Sequence, residues 1–256
     1  MSTWLFDLGN TRLKCALLRG DGGCGDVHAV AHADVEIERA LVSVVPDRFD
    51  RAVVAGVASA AVTAALLDAL TRRTRRITRV RTAARWGDMR IAYAQPERLG
   101  VDRFLALIGA RDAERDVLVC GVGTALTLDL IDRDGLHHGG RIAPSPTLMR
   151  EVLHQRAAQL PVDTGTYVEF ADDTSDALAS GCAGAAIALV ERSLEHARQR
   201  LGREVRLVLH GGGASALQAH LPDARLRPDL VFEGLARWSR DEAGTAQGAP
   251  LQSDPC

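Results

Sequence analysis

Aromatic side chains make up only 4% of the 256 residues, so any core must be built from Ala, Val, Leu and Ile. No apolar run approaches the roughly 18 residues a membrane-crossing helix needs, and no transmembrane helix is expected. The N-terminus, Met-Ser-Thr-Trp-Leu-Phe-Asp, lacks the basic-then-apolar layout of a secretory signal, which predicts a cytoplasmic protein. The five cysteines (Cys15, Cys24, Cys120, Cys182 and Cys256) are odd in number, widely spaced and without a C-x-x-C pair. That pattern predicts reduced thiols and no zinc site. A formal charge of −2 gives no general pull toward nucleic acid or anionic membrane. G-x-x-x-x-G-K-[ST] does not occur, so a P-loop is excluded.

Two residue types are nearly missing. Of 31 Lys plus Arg, only Lys14 is lysine, and Asn10 is the one asparagine. Both fall within Asp7-Leu8-Gly9-Asn10-Thr11-Arg12-Leu13-Lys14, a stretch that therefore demands those side chains. Lys offers a compact ammonium where Arg would offer a planar fork.

The apolar pattern predicts strands at 3–8 and 12–19, joined by a hairpin turn at Gly9-Asn10-Thr11 with residues that tolerate left-handed backbone. A helix at 34–44 with Asp34 as a possible cap, a strand from Arg51, a helix at 60–72 and a strand at 76–82 follow. After Gly100 comes an Ala/Leu/Ile helix. The pattern then restarts. Asp116 to Val122 reads as a strand, Gly123-Thr124-Ala125 as a turn and Leu126–Ile131 as the returning strand. Gly123 lies 114 residues after Gly9, which suggests a duplicated fold. Helices at 147–158 and 175–200, a strand at 205–209 and a short helix complete the reading. The Gly/Ala/Ser/Gln/Pro-rich residues from 241 to 256 read as a disordered tail. Predicted domains are 1–114 and 115–240. Glycines 9 and 123 sit between two strands, whereas a dinucleotide-binding fold places its glycines between strand and helix.

Six motifs carry candidate chemistry. In the first, a Gly turn lets backbone N–H groups approach phosphate oxygens, Lys14 can neutralise phosphate, and Asp7 can hold Mg²⁺. The bland alternative is an ordinary Asn-bearing hairpin. The second is Tyr93-Ala-Gln-Pro-Glu-Arg-Leu99-Gly100-Val101-Asp102-Arg103. Asp102 falls near a helix N-terminus, where an Asp is most often an N-cap. The functional alternative makes it the base that takes the proton of a substrate hydroxyl. Arg103, Tyr93 and helix-terminal N–H groups would hold an anionic substrate. The third, Gly121-Val-Gly123-Thr124-Ala-Leu-Thr-Leu-Asp129, is a second phosphate hairpin. The fourth, Gly139-Gly140-Arg141-Ile142-Ala143-Pro144, reads as a turn and strand lining a nucleotide cleft. The fifth, Asp173-Thr174 to Gly181, opens a small-residue helix that packs through Gly181 and Gly184, with Thr174 as its functional candidate. The sixth is the glycine run His210-Gly211-Gly212-Gly213 after a buried strand.

D-x-G-N-T-x-x-K, Y-x-x-P-x-x-L-G-x-D-R, G-T-A-x-T-x-D, G-G-x-I-x-P, T-x-x-A-x-x-S-G and a strand ending in G-G occur in this order across residues 3 to 236. Together they resemble type III pantothenate kinase. The resemblance implies an α/β, duplicated ribonuclease H-like fold of the actin and sugar-kinase type, with mixed sheets and a nucleotide cleft between its two domains. It implies ATP-dependent phosphorylation of pantothenate, the first step of coenzyme A synthesis, by a homodimer using Mg²⁺. By matching position, residues Asp7 to Lys14 (Leu8, Gly9, Asn10, Thr11, Arg12 and Leu13 among them), Thr124, Gly211 and Gly212 would bind ATP. Tyr93, Gly100, Val101, Asp102, Arg103 and Thr174 would bind pantothenate, with Asp102 as proton acceptor. The family's second hairpin usually reads D-x-G-T, its Asp ligating a monovalent cation such as K⁺ or NH₄⁺. Gly121 stands at that place and brings no carboxylate. The family's P-G is Pro144-Ser145 here, and its T-G-G is His210-Gly211-Gly212. Alternatives of other kinds are a kinase for another small hydroxy acid and a catalytically impaired nucleotide-binding regulator.

Seven arginines crowd residues 72–85 without an interleaved aromatic before Trp86. With Ile77 and Val80 alternating among them, they read as the solvated face of an edge strand rather than a nucleic-acid patch. His137-His138 has no ligand-spaced Cys or acid and reads as a turn.

Overall fold

The computed structural model describes residues 2–31, 37–161 and 164–248. The chain divides into two compact units. The first unit comprises Met1–Thr82, Gly100–Gly109 and Val231–Cys256, and the second Ala83–Leu99 and Ala110–Leu230. The boundary expected at residue 114 is therefore crossed twice: residues 83–99 belong with the second unit and the C-terminal segment with the first.

In the first unit, β1 (Thr3–Leu8), β2 (Arg12–Leu18), β3 (His28–Ala31), β4 (Arg51–Gly56) and β5 (Ile77–Arg79) form one sheet of order β3-β2-β1-β4-β5. The first three strands are antiparallel, and β4 and β5 join parallel. Alternation along β1 sends Trp4, Phe6 and Leu8 to one face. There they pack with Leu13, Val54 and the apolar stripes of α1 (Ile37–Val42) and α2 (Ala60–Thr71). Ser59 caps α2 by accepting from the Val62 N–H at 3.4 Å. The expected Asp34 cap of α1 lies outside the described residues. The third helix, α3 (Val101–Ala110), is buried along most of its length.

The second unit opens with a two-strand ribbon, β6 (Arg85–Trp86) and β7 (Met89–Arg90). Its main sheet holds β8 (Asp116–Val122), β9 (Ala125–Ile131), β10 (His137–Pro144), β11 (Val205–His210) and β12 (Arg225–Leu226). Its order is β10-β9-β8-β11-β12, with the same antiparallel and parallel pairings as the first sheet. The duplication expected from the two glycine hairpins is thus present strand for strand. Every residue of β8 is buried, as its unbroken apolar run requires of a central strand. Between the strands lie α4 (Pro146–Arg156), α5 (Thr174–Leu201) and α6 (Ala214–Gln218). By length and composition α5 could cross a membrane. It buries Ala186, Ile187 and Val190 in the core of this sheet instead.

The C-terminal helix, α7 (Leu230–Gly248), belongs with the first unit from Val231 on. Residues 241–248, read from composition as tail, continue this helix; 249–256 lie outside the described residues. Arg237 of α7 donates to the Ile108 carbonyl at 3.0 Å. Gly234 sits so close to α3 that a Cβ there would lie 1.9 Å from the Leu105 carbonyl oxygen. Gly234→Ala must therefore push two buried helices apart. We expect a loss of about 3 kcal/mol, or roughly 6–12 °C in Tm for a chain of this size, measured by thermal unfolding.

The arginine-rich segment behaves as expected at β5, which is an edge strand. Arg75, Arg76, Arg79, Arg81 and Arg85 are exposed, and Arg72 pairs with Glu38 and Asp68 at 2.7 and 2.8 Å. Arg73 departs from the pattern, being buried and reaching Asp47 at 3.5 Å. The four described cysteines are free thiols.

Candidate active site

The β1–β2 ribbon places Asp7 opposite Lys14 and Leu8 opposite Leu13. Leu8 and Leu13 are core side chains, so within the motif they anchor the ribbon from below and offer only backbone. The ribbon closes with the Gly9 N–H donating to the Arg12 carbonyl at 3.0 Å. Asn10, Thr11 and Arg12 stand exposed at its tip. The left-handed turn expected for Asn10 does not form, because every non-glycine φ among the described residues is negative. Four residues span the tip, and this relieves the steric demand that a tighter two-residue hairpin would impose.

Asp7 is half-buried where β1 ends. Burial first, and then the negative charge of Asp102, push its carboxyl up to about 6, while the Lys14 ammonium pulls the other way. Two carboxyls and one ammonium of the first unit therefore act on one another.

Asp102 stands at the second position of α3. The Gly100 carbonyl accepts from the Phe104 N–H at 3.0 Å, so Gly100 opens the helix and Asp102 is not its N-cap. Its Oδ1 folds back to 2.5 Å from where a Gly100 Cβ would lie, so a larger residue at 100 would displace the carboxylate. A carboxylate in the first turn is favoured by the helix dipole. Leu99, Val101 and Arg103 are buried. Val101 is thus a core residue, and Arg103 is a charge held inside the fold.

In the second unit, the β8–β9 ribbon closes with the Gly123 N–H donating to the Ala125 carbonyl at 3.0 Å, and Thr124 is exposed at its tip. Its turn is one residue shorter than that of the first ribbon, since Val122 pairs with Leu126. Gly121 pairs with His210 on β11 and with Thr127 on β9. A Cβ on Gly121 would lie 2.8 Å from His210 Nε2 and 2.6 Å from Thr127 Oγ1. The imidazole of His210 and the hydroxyl of Thr127 together occupy the space that a side chain at 121 would need.

After His210 the chain turns at Gly211, with φ +92°, where a Cβ would strike the Val122 carbonyl at 2.5 Å. No described atom lies within 4 Å of a Cβ on Gly212, which leaves backbone there open to a ligand. Ser145, which stands for the family's glycine, caps α4 by accepting from the Leu148 N–H at 3.2 Å. Thr174 is the exposed first residue of α5, behind the Asp173 cap. Gly181 does not make the close packing expected of it, for nothing lies within 4 Å of its would-be Cβ.

The His137-His138 pair is not a turn. His137 is fully buried on β10. Its Nδ1 accepts from the Ala92 N–H at 3.4 Å, and its Nε2 lies 3.0 Å from Asp129 Oδ1. With Nδ1 accepting, the ring proton sits on Nε2 and is donated to the carboxylate. Tyr93 stacks on this imidazole, with centroids 6.0 Å apart and planes at 20°. Asp129 and His137 therefore fix the segment that carries Tyr93, a role no local sequence signal marks.

A family description, "Type III pantothenate kinase", matches residues 4–196. The chain belongs to the type III pantothenate kinase family. It is 56% identical over 239 residues to a type III pantothenate kinase of Stenotrophomonas maltophilia, covering 93% of this chain and 98% of the relative. It is also 56% identical over 243 residues to one of Xanthomonas campestris, covering 95% and 99%. Among solved structures it is similar to a Baf family protein of Campylobacter jejuni (TM-score 0.64, 17% identity, 94% and 99% covered). It is also similar to a Clostridium difficile activator of 2-hydroxyisocaproyl-CoA dehydratase with bound ADPNP (TM-score 0.55, 12% identity, 100% of both chains covered). Such distant likenesses speak for the fold alone, which is the duplicated, actin-like one.

Within this family, the His137 arrangement yields a kinetic prediction. With Tyr93 in the pantothenate site, as the resemblance implies, His137→Ala should raise KM for pantothenate about tenfold, equivalent to about 1.4 kcal/mol, by releasing Tyr93. KM for ATP should stay within about twofold. Steady-state kinetics with each substrate varied in turn checks this split.

Proposed function

We propose that this chain phosphorylates the terminal hydroxyl of pantothenate with ATP, and that Asp102 is the base. The observation that carries the proposal is the Asp7–Lys14–Asp102 group in the first unit, in a chain matching the pantothenate kinases over nearly its whole length. Asp102 accepts the hydroxyl proton as the oxygen attacks the γ-phosphorus in line. The new P–O bond forms as the bond to ADP breaks.

Lys14 and the backbone from Gly9 to Arg12 receive the phosphates. In the second unit, Thr124 and the Gly211-Gly212 turn are assigned to the nucleotide, and Tyr93, Arg103 and Thr174 to pantothenate. No cluster of three metal-ligating side chains occurs among the described residues. Asp7 nevertheless fits a divalent cation that takes its other oxygens from phosphate and water, because its carboxyl is destabilised as an anion without one. Mg²⁺ bound there would offset charge developing on the phosphates.

An apolar groove of about 560 Å³ runs between α4 and α5, lined by Leu148, Met149, Val152, Leu153 and Leu178. Val152 and Leu153 are 45% and 43% exposed. We assign this face to a second copy of the chain, giving a homodimer. We place the reaction in the cytoplasm, where the free thiols stay reduced.

The test is ADP release from ATP with and without pantothenate, repeated with K⁺ and with NH₄⁺. Pantothenate-dependent ADP release is expected. ATP binding without ADP release would overturn the assignment in favour of a nucleotide-binding regulator.

A further inference from the structure

A second pocket, of about 310 Å³, lies on the second unit where the C-terminal half of α5 crosses β8, β9 and β10. Its floor is Leu118, Leu128 and Leu130, and its rim carries Arg141, His196 and Arg200. Leu128 and Leu130 stand three and five residues along β9 from Ala125 at the ribbon tip. At about 3.4 Å per residue, that separates the pocket from the phosphate ribbon by roughly 10–17 Å. Arg141 belongs to the Gly139–Pro144 motif read from the sequence as lining a nucleotide cleft; its side chain instead meets Ser193 of α5, and none of the rim residues is assigned a part in the chemistry proposed above.

The arginines here are held without carboxylates, unlike Arg111, Arg203 and Arg51, which meet Asp88, Asp116 and Glu242. Arg141 instead donates to Ser193 Oγ at 2.6 Å. The serine proton is already committed to the Leu189 carbonyl, so the serine can only accept from the guanidinium. Arg200 donates through Nε to His138 Nδ1 at 3.3 Å. The same imidazole donates through Nε2 to Asp132 at 2.7 Å. That carboxylate also accepts from the Asp134 and Leu136 N–H groups, and it lies behind the histidine. Both guanidinium groups are thus oriented by neutral partners. Among the described residues no acid lines the pocket.

Both side chains are exposed, so water screens their mutual repulsion, and among the described residues no carboxylate in the pocket wall competes with an anion that would join them. The backbone of β10 agrees with this reading. Its pairing with β9 shifts register between His137 and Gly140, and Gly139 takes φ +92° with open space around it. Bulges gather at sheet edges as well as beside ligand sites; β10 is an edge strand, and its bulge lies in the pocket wall at Gly139 and Gly140.

We propose that this pocket binds a small phosphomonoester. Its phosphate is held by the forks of Arg141 and Arg200, and its apolar portion lies on the leucine floor. The probe is inorganic phosphate, titrated by calorimetry into the full chain with Mg²⁺ and a non-hydrolysable ATP analogue filling the nucleotide site. Ionic strength is matched with chloride. Millimolar phosphate binding is expected, weakened at least tenfold in Arg141→Gln/Arg200→Gln and clearly reduced in the milder His196→Gln. Arg192→Gln, on α5 but outside the pocket, should bind as the parent does. Absence of phosphate binding once the nucleotide site is filled would overturn the proposal. So would unchanged affinity in the folded double variant or, should that variant not fold, in His196→Gln.

Discussion

Asp102→Asn is expected to lower kcat by about 10²- to 10⁴-fold, the range for losing a positioned general base, while Kd for ATP stays within about threefold. The amide keeps the size and shape of the carboxylate but cannot take a proton. It also leaves the start of α3 intact, because the first helical acceptor is the Gly100 carbonyl and not the Asp102 side chain. A second readout follows from charge. Asp102 is one of the two causes raising the Asp7 carboxyl, so the variant should show Asp7 titrating below about 6 by NMR. Turnover close to the parent's would end the assignment of Asp102 as base. A parallel loss of ATP affinity would give it a binding role instead.

Asp7→Asn should act in opposite directions on activity and on stability. Activity should fall by about 10²-fold or more, since charge stabilisation at the phosphates is lost. The ligand-free protein should become more stable at pH 8. The sign follows from proton linkage. The carboxyl titrates at about 6 in the fold against an ordinary 3.8, so the folded state holds this proton more tightly than the unfolded one. Its contribution to stability is fully present below pH 3.8 and is lost as pH rises through 6. Above that, the ionised carboxylate costs at most about 3 kcal/mol at 1.36 kcal/mol per pH unit. Asn removes the cost, so Tm should rise by up to roughly 6–12 °C at pH 8. The gap between variant and parent should close below pH 4. Saturating Mg·ATP should narrow it at pH 8, because the ligand stabilises the parent that binds it. Thermal unfolding across pH, with and without nucleotide, measures all three. An equal Tm for variant and parent at pH 8 would remove the strain assigned to Asp7.

Much of the fold was legible because its signals are local. The continuous apolar run of β8 reads as a buried central strand, and the glycine corners after β1 and β8 expose the duplication that both sheets carry out. Lys14 and Asn10 stood out because each is single in the chain. Asp102 was legible as a residue near a helix start, but the roles of Asp102 and Gly100 were not. Which of the two opens the helix depends on backbone hydrogen bonds that composition does not reveal. Other features are set by distant partners. His137 looks like a turn residue until β10 pairs with β9 and brings Asp129 and Tyr93 to it. The segment after 240 has the composition of a tail. It nonetheless continues a helix whose earlier residues, Phe232, Leu235 and Ala236, are buried. The two-residue strands are too short to carry any period.

The imidazole of His210 resting in the space above Gly121 constrains how this lineage can change. The hydroxyl of Thr127 stands there too, so a Cβ at 121 would lie 2.6 Å from the hydroxyl and 2.8 Å from the ring. Trimming the ring alone leaves the hydroxyl in place. An acid at 121 therefore calls for adjustment on both neighbouring strands, β9 and β11, and not on one alone.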